Sequence, residues 1–289
     1  MRFAVTVLLW LLTTAALAVA VLTAWAQTHL IDVDGYTAMA QEASNDPVLQ
    51  AAVASELTTR AVVLINQRGY TISSSEVHSV AAAYTASPSF PSHFAEANRQ
   101  LHGWLFTRAA TQSDQWVVDV APMLNDPVFD RLLAGHDVDV PSTVAVPVTA
   151  TTPKVLQPGI LRPLASWGPW ASIVAAVVTG ICALLTLTVA RSRGRALAGL
   201  GVSALLVGAA GWAAIELGRR YIDDALNHTT GDMRRIADVM IGEAESSLHH
   251  WLDLALAAGG VLVVLGILAA MLGGLFRAGR RSAARPASG

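Results

Sequence analysis

The 289-residue chain is 53% hydrophobic and only 14% charged, with a mean hydropathy of +0.48. Soluble domains carry about 25% charged residues, so this composition excludes a chain that is soluble throughout its length. The single cysteine excludes a disulfide framework. The net charge of −2 hides an asymmetry: residues 27–166 carry 13 acidic and 7 basic residues, which excludes bulk attraction of that segment to nucleic acid.

Four apolar runs are each long enough to cross a bilayer, which takes about 20 helical residues. They are Phe3 to Ala26, Trp167 to Ala190, Ala196 to Leu217 and Leu254 to Phe276. Glu216, at the outer edge of the third run, is the only charged residue in them. The first run also has features of a cleaved signal peptide. Its 24 residues exceed the about 7–15 of a signal core, which favours a retained anchor.

The charge distribution predicts the orientation of these runs. The N-terminus, the connection between the second and third runs and the C-terminal tail contain basic residues and no acid. These basic residues are Arg2, Arg191, Arg193, Arg195, Arg277, Arg280, Arg281 and Arg285. Because Arg and Lys are enriched on the cytoplasmic side, the sequence predicts a multi-pass bacterial plasma-membrane protein with both termini in the cytoplasm.

This topology divides the chain into seven segments. They are transmembrane helix 1 (1–26), an extracytoplasmic domain (27–166), transmembrane helix 2 (167–190), transmembrane helix 3 (196–217), an outer helical hairpin (218–253), transmembrane helix 4 (254–276) and a basic cytoplasmic tail (277–289). The predicted fold class is therefore membrane α-helical, with four spans and a mainly α, minor β domain outside.

The extracytoplasmic domain carries local signals for several helices. Asn45-Asp46-Pro47 predicts a helix start, because the Asp side chain can cap a helix whose first residue is Pro. Asn125-Asp126-Pro127 repeats this signal. Helices are also expected at 75–84 and after Ser92. Two short strands, at 115–120 and 144–148, are expected to pair.

The outer hairpin carries a helical apolar seam. Its residues are Ile222, Leu226, Thr229, Met233, Ile236 and Met240. A seam this short is compatible with an oligomeric coiled coil or with packing of the hairpin on the extracytoplasmic domain, and the second is favoured.

Acidic and histidine residues suggest two kinds of metal site. Glu245, His249 and Asp253, four residues apart on one helix face, are candidate zinc ligands; a solvated helix face is the favoured alternative. The two Asp-x-Asp pairs, at 32–34 and 137–139, match a divalent-cation pattern of some sugar-nucleotide transferases, although turn edges are favoured for both. Asn98 and His102 share a four-residue spacing that predicts a buried hydrogen-bonded pair.

Small residues recur every four positions on the last two spans. They are Gly266, Ala270 and Gly274 on the fourth, and Ala204 and Gly208 on the third. Such stripes let helix backbones approach closely in lipid, so they are predicted helix-packing sites. They serve either packing within one chain or association with a partner.

Several of these residues together resemble a known group of proteins. The order is an N-terminal span, Asp32, Asp34 and Tyr36, the Asn45-Asp46-Pro47 start, then 94–102 and 116–122. This order is similar to that of uncharacterised actinobacterial integral membrane proteins with an exported domain between the first two spans. The resemblance covers roughly residues 1–190 and implies a fold and a location; it brings no activity.

The sequence contains no G-x-S-x-G, H-E-x-x-H, Walker or dinucleotide-binding motif. We therefore predict no catalytic residue, no cofactor and no enzymatic activity. The expected function is that of a cell-envelope protein whose outer domain binds a partner or ligand. Its spans are expected to contact the lipid bilayer and to assemble with another membrane protein or with a second copy of the chain. The alternative is a membrane enzyme of envelope lipid or glycan metabolism.

Overall fold

The computed structural model describes residues 2–67, 69–106, 117–135, 139–147, 159–190, 192–226 and 231–283. The elements are α1 (Arg2–Ala26), a π-helical turn (Gln27–Ile31), α2 (Val33–Ala43), α3 (Pro47–Gln67), α4 (Ser74–Thr85), α5 (Phe90–Phe106), β1 (Val117–Asp119), α6 (Ala121–Leu124), α7 (Pro127–Ala134), β2 (Ala145–Pro147), α8 (Arg162–Val189), α9 (Arg193–Leu226) and α10 (Asp232–Ala283). The predicted α-helical class is confirmed.

The chain folds into two compact units. The apolar unit comprises Met1–Ala26, Pro169–Arg219 and Ser247–Gly289. The globular unit comprises Gln27–Gly168 and Arg220–Ser246. The residues predicted to form a separate outer hairpin therefore belong mostly to the same unit as residues 27–168.

Within the described part of the chain, five helices are long and apolar enough to cross a membrane. They span Ala4–Ile31, Pro47–Gln67, Arg162–Val189, Arg193–Tyr221 and Asp232–Leu272. The second of these, α3, was not predicted as a span. It has the lowest mean hydropathy of the five, 1.5, and 44% of its most apolar window is buried within the protein.

The core of the globular unit forms around α3. Its buried residues recur at helical spacing and include Leu49, Leu57 and Ile65, each of which is at most 1% exposed. Helix α3 packs on α4, α2 packs on α5, and α4 contacts α7. Apolar burial on this scale is the main term that stabilises a domain with no disulfide.

An aromatic cluster closes the core between α4, α5 and α7. The rings of Tyr84 and Phe129 are 5.5 Å apart, and those of Tyr84 and Phe90 meet edge to face at 5.7 Å. All three side chains are fully buried. The Tyr84 hydroxyl lies 2.9 Å from His93 Nδ1, so its polar end has a partner.

Aspartate caps begin three helices of the globular unit. Asp46 accepts hydrogen bonds from the N–H groups of Val48 and Leu49 at 2.7 and 3.3 Å. Asp126 accepts from Val128 N–H at 3.0 Å. Both Asn-Asp-Pro predictions are confirmed. Asp32 caps α2 in the same way, and α2 was not predicted.

The two strands pair as the sequence predicted. They run antiparallel, with Val118 opposite Val146. The Asp119 carboxylate accepts from Ala121 N–H at 2.9 Å and from Val144 N–H at 2.8 Å, which ties the C-terminal end of β1 to the residue that precedes β2. Residues 115, 116 and 148 of the predicted strands lie outside the described part of the chain.

The hairpin region packs on the core of the globular unit. Helix α9 continues to Leu226, and α10 begins at Asp232 after Gly231, whose φ of +67° suits glycine. Ile236, Val239 and Met240 of α10 lie against the core. This supports the packing interpretation of the seam. Thr229 and the side chains of Ile222 and Leu226 lie outside what is described.

Candidate ligand cavity and packing sites

The globular unit contains an apolar cavity of about 80 Å³. Its wall comes from α3, α5, α6, both strands, the β1–α6 connection and the N-terminal part of α10. The lining residues are Val53, Glu56, Leu57, Phe94, Ala97, Asn98, Leu101, Val118, Val120, Met123, Val146, Met233 and Ile236. Eleven of these thirteen side chains carry no hydrogen-bonding nitrogen or oxygen, so the wall suits an apolar group.

The two polar residues of the wall already have partners. Glu56 Oε1 accepts from Arg60, with Nε at 2.8 Å and a terminal guanidinium nitrogen at 2.7 Å. Asn98 Nδ2 donates to Phe94 O at 2.9 Å, and Asn98 Oδ1 accepts from the Tyr36 hydroxyl at 3.3 Å. These bonds hold both side chains in place without any ligand.

Asn98 belongs to a polar cluster with Tyr36 and His102. His102 Nε2 donates to Leu30 O at 3.1 Å, and the His102 ring stacks on Phe106 at 4.2 Å. Tyr36 contacts both predicted partners: its hydroxyl bonds Asn98, and its ring lies 5.2 Å from that of His102. Asn98 and His102 are buried as expected, but they bond to other partners and not to each other as a pair. Tyr36, which sequence reasoning did not connect to them, links the two.

Burial sets the protonation of this cluster. Burial lowers the pKa of His102 below its usual value, partly offset by hydrogen bonds to the Leu30 and Ile31 backbone. Burial raises the pKa of Tyr36. Both groups are therefore neutral at pH 7, which suits a cluster that connects the π-helical turn, α2 and α5.

The candidate zinc ligands are not gathered around one point. Among the described residues, no group of three His, Cys, Asp or Glu side chains is arranged to hold a metal ion. Glu245 and Asp253 are eight positions apart on α10, which separates their backbones by about 12 Å. His249 stacks on Trp212 at 3.9 Å, and Asp253 accepts from Trp212 Nε1 at 3.1 Å. The contacts of His249 and Asp253 thus account for a helix-packing role.

The first Asp-x-Asp pair has structural partners. Asp32 accepts from the N–H groups of Asp34 and Gly35, both at 3.0 Å. Asp34 pairs with Arg99 at 3.2 Å. Asp32 thus caps α2, and Asp34 lies within that helix and pairs with Arg99, so a helix begins here where the sequence predicted a turn edge. Residues 137 and 138 of the second pair lie outside the described residues.

The predicted small-residue stripes pack α9 against α10 within the apolar unit. A Cβ added to Gly266 would lie 2.7 Å from Gly194 O, and one added to Gly194 would lie 2.5 Å from Ala270 N. A Cβ on Gly259 would lie 3.0 Å from Ala204 Cβ, and one on Gly208 would lie 2.5 Å from Leu256 Cγ.

Distances this short leave room only for hydrogen. Four of the five predicted packing residues, Gly266, Ala270, Ala204 and Gly208, thus face the neighbouring helix of the same chain. Gly274 lies in the part of α10 beyond Leu272, whose side-chain surroundings are not described. The stripes serve packing within the chain, which was one of the two predicted roles.

Sequence reasoning did not find the cavity. The signal that bears on it is the seam, since Met233 and Ile236 belong both to the seam and to the cavity wall. The seam indicated that this face of α10 is covered, but the covering residues come from distant segments.

Comparison with known proteins adds no relative. No protein-family model, no curated protein and no solved structure matches the chain. The resemblance to actinobacterial integral membrane proteins stays a prediction.

Proposed function

We propose that this protein is a multi-pass plasma-membrane protein whose globular unit lies on the outer side and binds an apolar ligand. Four of the five membrane-length helices, α1, α8, α9 and α10, are the proposed spans. Helix α3 is excluded because Glu56 and Arg60 lie at its centre and its apolar residues form the core of the globular unit.

Tryptophan placement supports these four spans. Trp residues are enriched at the level where a helix leaves the bilayer. Five of the eight tryptophans lie where an apolar run meets the sequence of the globular unit: Trp25 on α1, Trp167 and Trp170 on α8, Trp212 on α9 and Trp251 on α10. Trp167 and Trp170 are 72% and 66% exposed, as expected for side chains that face lipid headgroups.

Charge supports the proposed orientation. The segments assigned to the cytoplasm carry Arg without acid, whereas residues 27–166 carry 13 acidic and 7 basic residues. Both termini are accordingly cytoplasmic in this proposal. The partners are the bilayer and other membrane proteins that contact the lipid-facing surfaces of the spans.

The cavity is the single observation that favours binding as the function. It is apolar and both of its polar residues already bond to neighbours in the protein, which fits a site that holds a ligand by burial. A reaction needs groups poised to move protons or attack, whereas Asp32, Asp46 and Asp126 serve as helix caps and Asp34 and Glu56 as partners in ion pairs. The proposed function is therefore binding without catalysis. The spans transmit the ligand-bound state of the globular unit to membrane partners.

A set of single variants tests this proposal in cells that lack the native gene. Ala97→Leu, which fills the cavity, is expected to reproduce the deletion phenotype. Asp32→Ala, Glu245→Ala and His249→Ala are expected to complement as the native protein does, at equal protein levels. Loss of function in any of these three at normal abundance contradicts the proposal, because removing one catalytic group typically lowers a rate by orders of magnitude.

A further inference from the structure

We infer that the cavity of the globular unit holds the terminal hydrocarbon segment of an acyl chain. This rests on the proposed function and names its ligand class. The inference follows from the chemistry of the wall, its size, its adaptable side chains and the place of the unit along the chain.

The wall selects for a group that forms no hydrogen bonds. Glu56 and Asn98 are its polar residues, and each is already bonded to a neighbour within the protein. The eleven other side chains of the wall offer no partner to a hydroxyl or amide, and a group of that kind buried unpaired against them costs about 1–3 kcal/mol. Hydrocarbon enters without that cost and gains about 0.8 kcal/mol for each methylene removed from water.

The size selects a short segment. An engineered cavity of about 150 Å³ accommodates benzene, which is about 25 Å³ for each carbon. The cavity of about 80 Å³ therefore holds about three carbons as it stands. A flat six-membered ring does not fit this volume, whereas the end of a flexible chain does.

Two methionines give the wall room to adapt. Met123 lies on α6 and Met233 on α10, so they reach the cavity from different segments. Methionine is unbranched and polarizable, and it recurs where a surface must fit apolar groups of varied shape. Rotation of these two side chains would admit further methylenes without moving the backbone.

The connectivity of the chain places acyl chains within reach. The chain passes between the two units at 26–27, 168–169, 219–220 and 246–247, and each crossing joins the globular unit to a membrane-length helix. On the proposed topology this unit is tethered four times to the bilayer surface. Acyl chains are the apolar groups present there, either on phospholipids or as free fatty acids.

Photolabelling of the full chain in lipid nanodiscs tests the inference. The probe is a palmitic acid analogue with a diazirine at its terminal carbon, and labelled peptides are identified by mass spectrometry. We expect label in the peptides that contain Val53–Leu57, Phe94–Leu101 and Val118–Met123. Ala97→Leu adds three carbons to the wall and should reduce that label at least tenfold, relative to label in the spans of the same sample.

Two further variants separate binding from folding. Val118→Leu adds one carbon and should reduce the label partially. Val63→Leu, at an exposed position of α3 outside the wall, should leave it unchanged. Unchanged label in Ala97→Leu and Val118→Leu, in proteins with an unaltered or raised Tm, overturns the inference.

Competition identifies the source of the chain. Loss of label with excess palmitate alone assigns a free fatty acid, and loss with excess diacyl phospholipid alone assigns a lipid; both support the inference. Competition by neither overturns it. If Ala97→Leu abolishes function in cells while the cavity peptides take no label, the acyl inference fails and the proposed binding function stands. Label without a cellular effect of Ala97→Leu contradicts the proposed function instead.

Discussion

Gly259→Leu is expected to disrupt the packing of α9 on α10, whereas Gly260→Leu, one residue further along the same helix, is expected to be tolerated. A Cβ on Gly259 would lie 2.8 Å from Gly201 O and 2.9 Å from Leu205 N, and both are backbone atoms of α9. Backbone cannot rotate away as a side chain can, so the helices must separate. Overpacking costs about 1–3 kcal/mol and sometimes more, and we expect at least the upper end here.

The neighbouring glycine is a matched control for this change. Among the described residues, nothing lies within 4 Å of a Cβ built on Gly260. Both variants gain helix propensity by about 1 kcal/mol over glycine, so that term cancels between them. Thermal unfolding in detergent, followed as loss of the monodisperse peak in size-exclusion chromatography, should show a large drop in Tm for Gly259→Leu alone. Equal Tm values for the two variants would refute the close packing of α9 on α10.

Phe129→Ala is expected to destabilise the globular unit by about 3–5 kcal/mol, as large aromatic truncations in protein cores do. Phe129 is fully buried and its ring lies 5.5 Å from that of Tyr84. Its removal leaves a cavity that α4 and α5 cannot fill by small movements. Because a domain is stable by only about 5–15 kcal/mol, this loss is a large fraction of the total.

Hydrogen exchange of the full chain measures this effect locally. Amides of α3 and α7 should lose protection in Phe129→Ala by about 100-fold or more, since each 1.4 kcal/mol corresponds to tenfold. Val63→Ala, at a position that is 45% exposed, should change protection by less than about threefold. A Phe129→Ala protein with protection like that of Val63→Ala would show that the aromatic cluster is not part of the core.

The helix starts of this protein were predictable because they depend on neighbouring residues. Asp46-Pro47 and Asp126-Pro127 combine a side-chain acceptor with a residue that suits the first helical position. The long apolar helices were predictable for a similar reason, since a helix that crosses a bilayer must be long and nearly uncharged, and both properties can be seen in the sequence. These signals are local, and no knowledge of the fold is needed to interpret them.

Other features depend on contacts that the sequence does not display. Helix α2 is not evident from the sequence, because its cap, Asp32, belongs to an Asp-x-Asp pattern that also suits a turn edge. Helix α8 begins at Arg162, earlier than predicted, since Gly159 N–H and Leu161 N–H bond to the carbonyls of Trp104 and Leu105 and fix the chain there. Pro163 is tolerated because it falls in the first helical turn.

The cavity and the partners of the small residues are tertiary in origin. The four-residue spacing on the last span indicated close packing, but Gly194 and Ala198, which meet Gly266, carry no signal that pairs them with it. The cavity wall joins residues from Val53 to Ile236, so its volume follows from the packing of six elements and the β1–α6 connection. The cluster of Tyr36, Asn98 and His102 also depends on a tertiary contact, because His102 bonds to Leu30 O in the π-helical turn.

Cysteine accessibility is the most direct test of the central claim, that four spans hold the globular unit outside the membrane. In a Cys182→Ser background, single cysteines replace Ser92 and Ser246, both exposed in the globular unit, or Ser192 and Ser282, in segments assigned to the cytoplasm. A membrane-impermeant maleimide should label Ser92→Cys and Ser246→Cys in intact cells, and label Ser192→Cys and Ser282→Cys only after permeabilisation. Labelling of Ser282→Cys in intact cells, or protection of Ser92→Cys, would contradict the account.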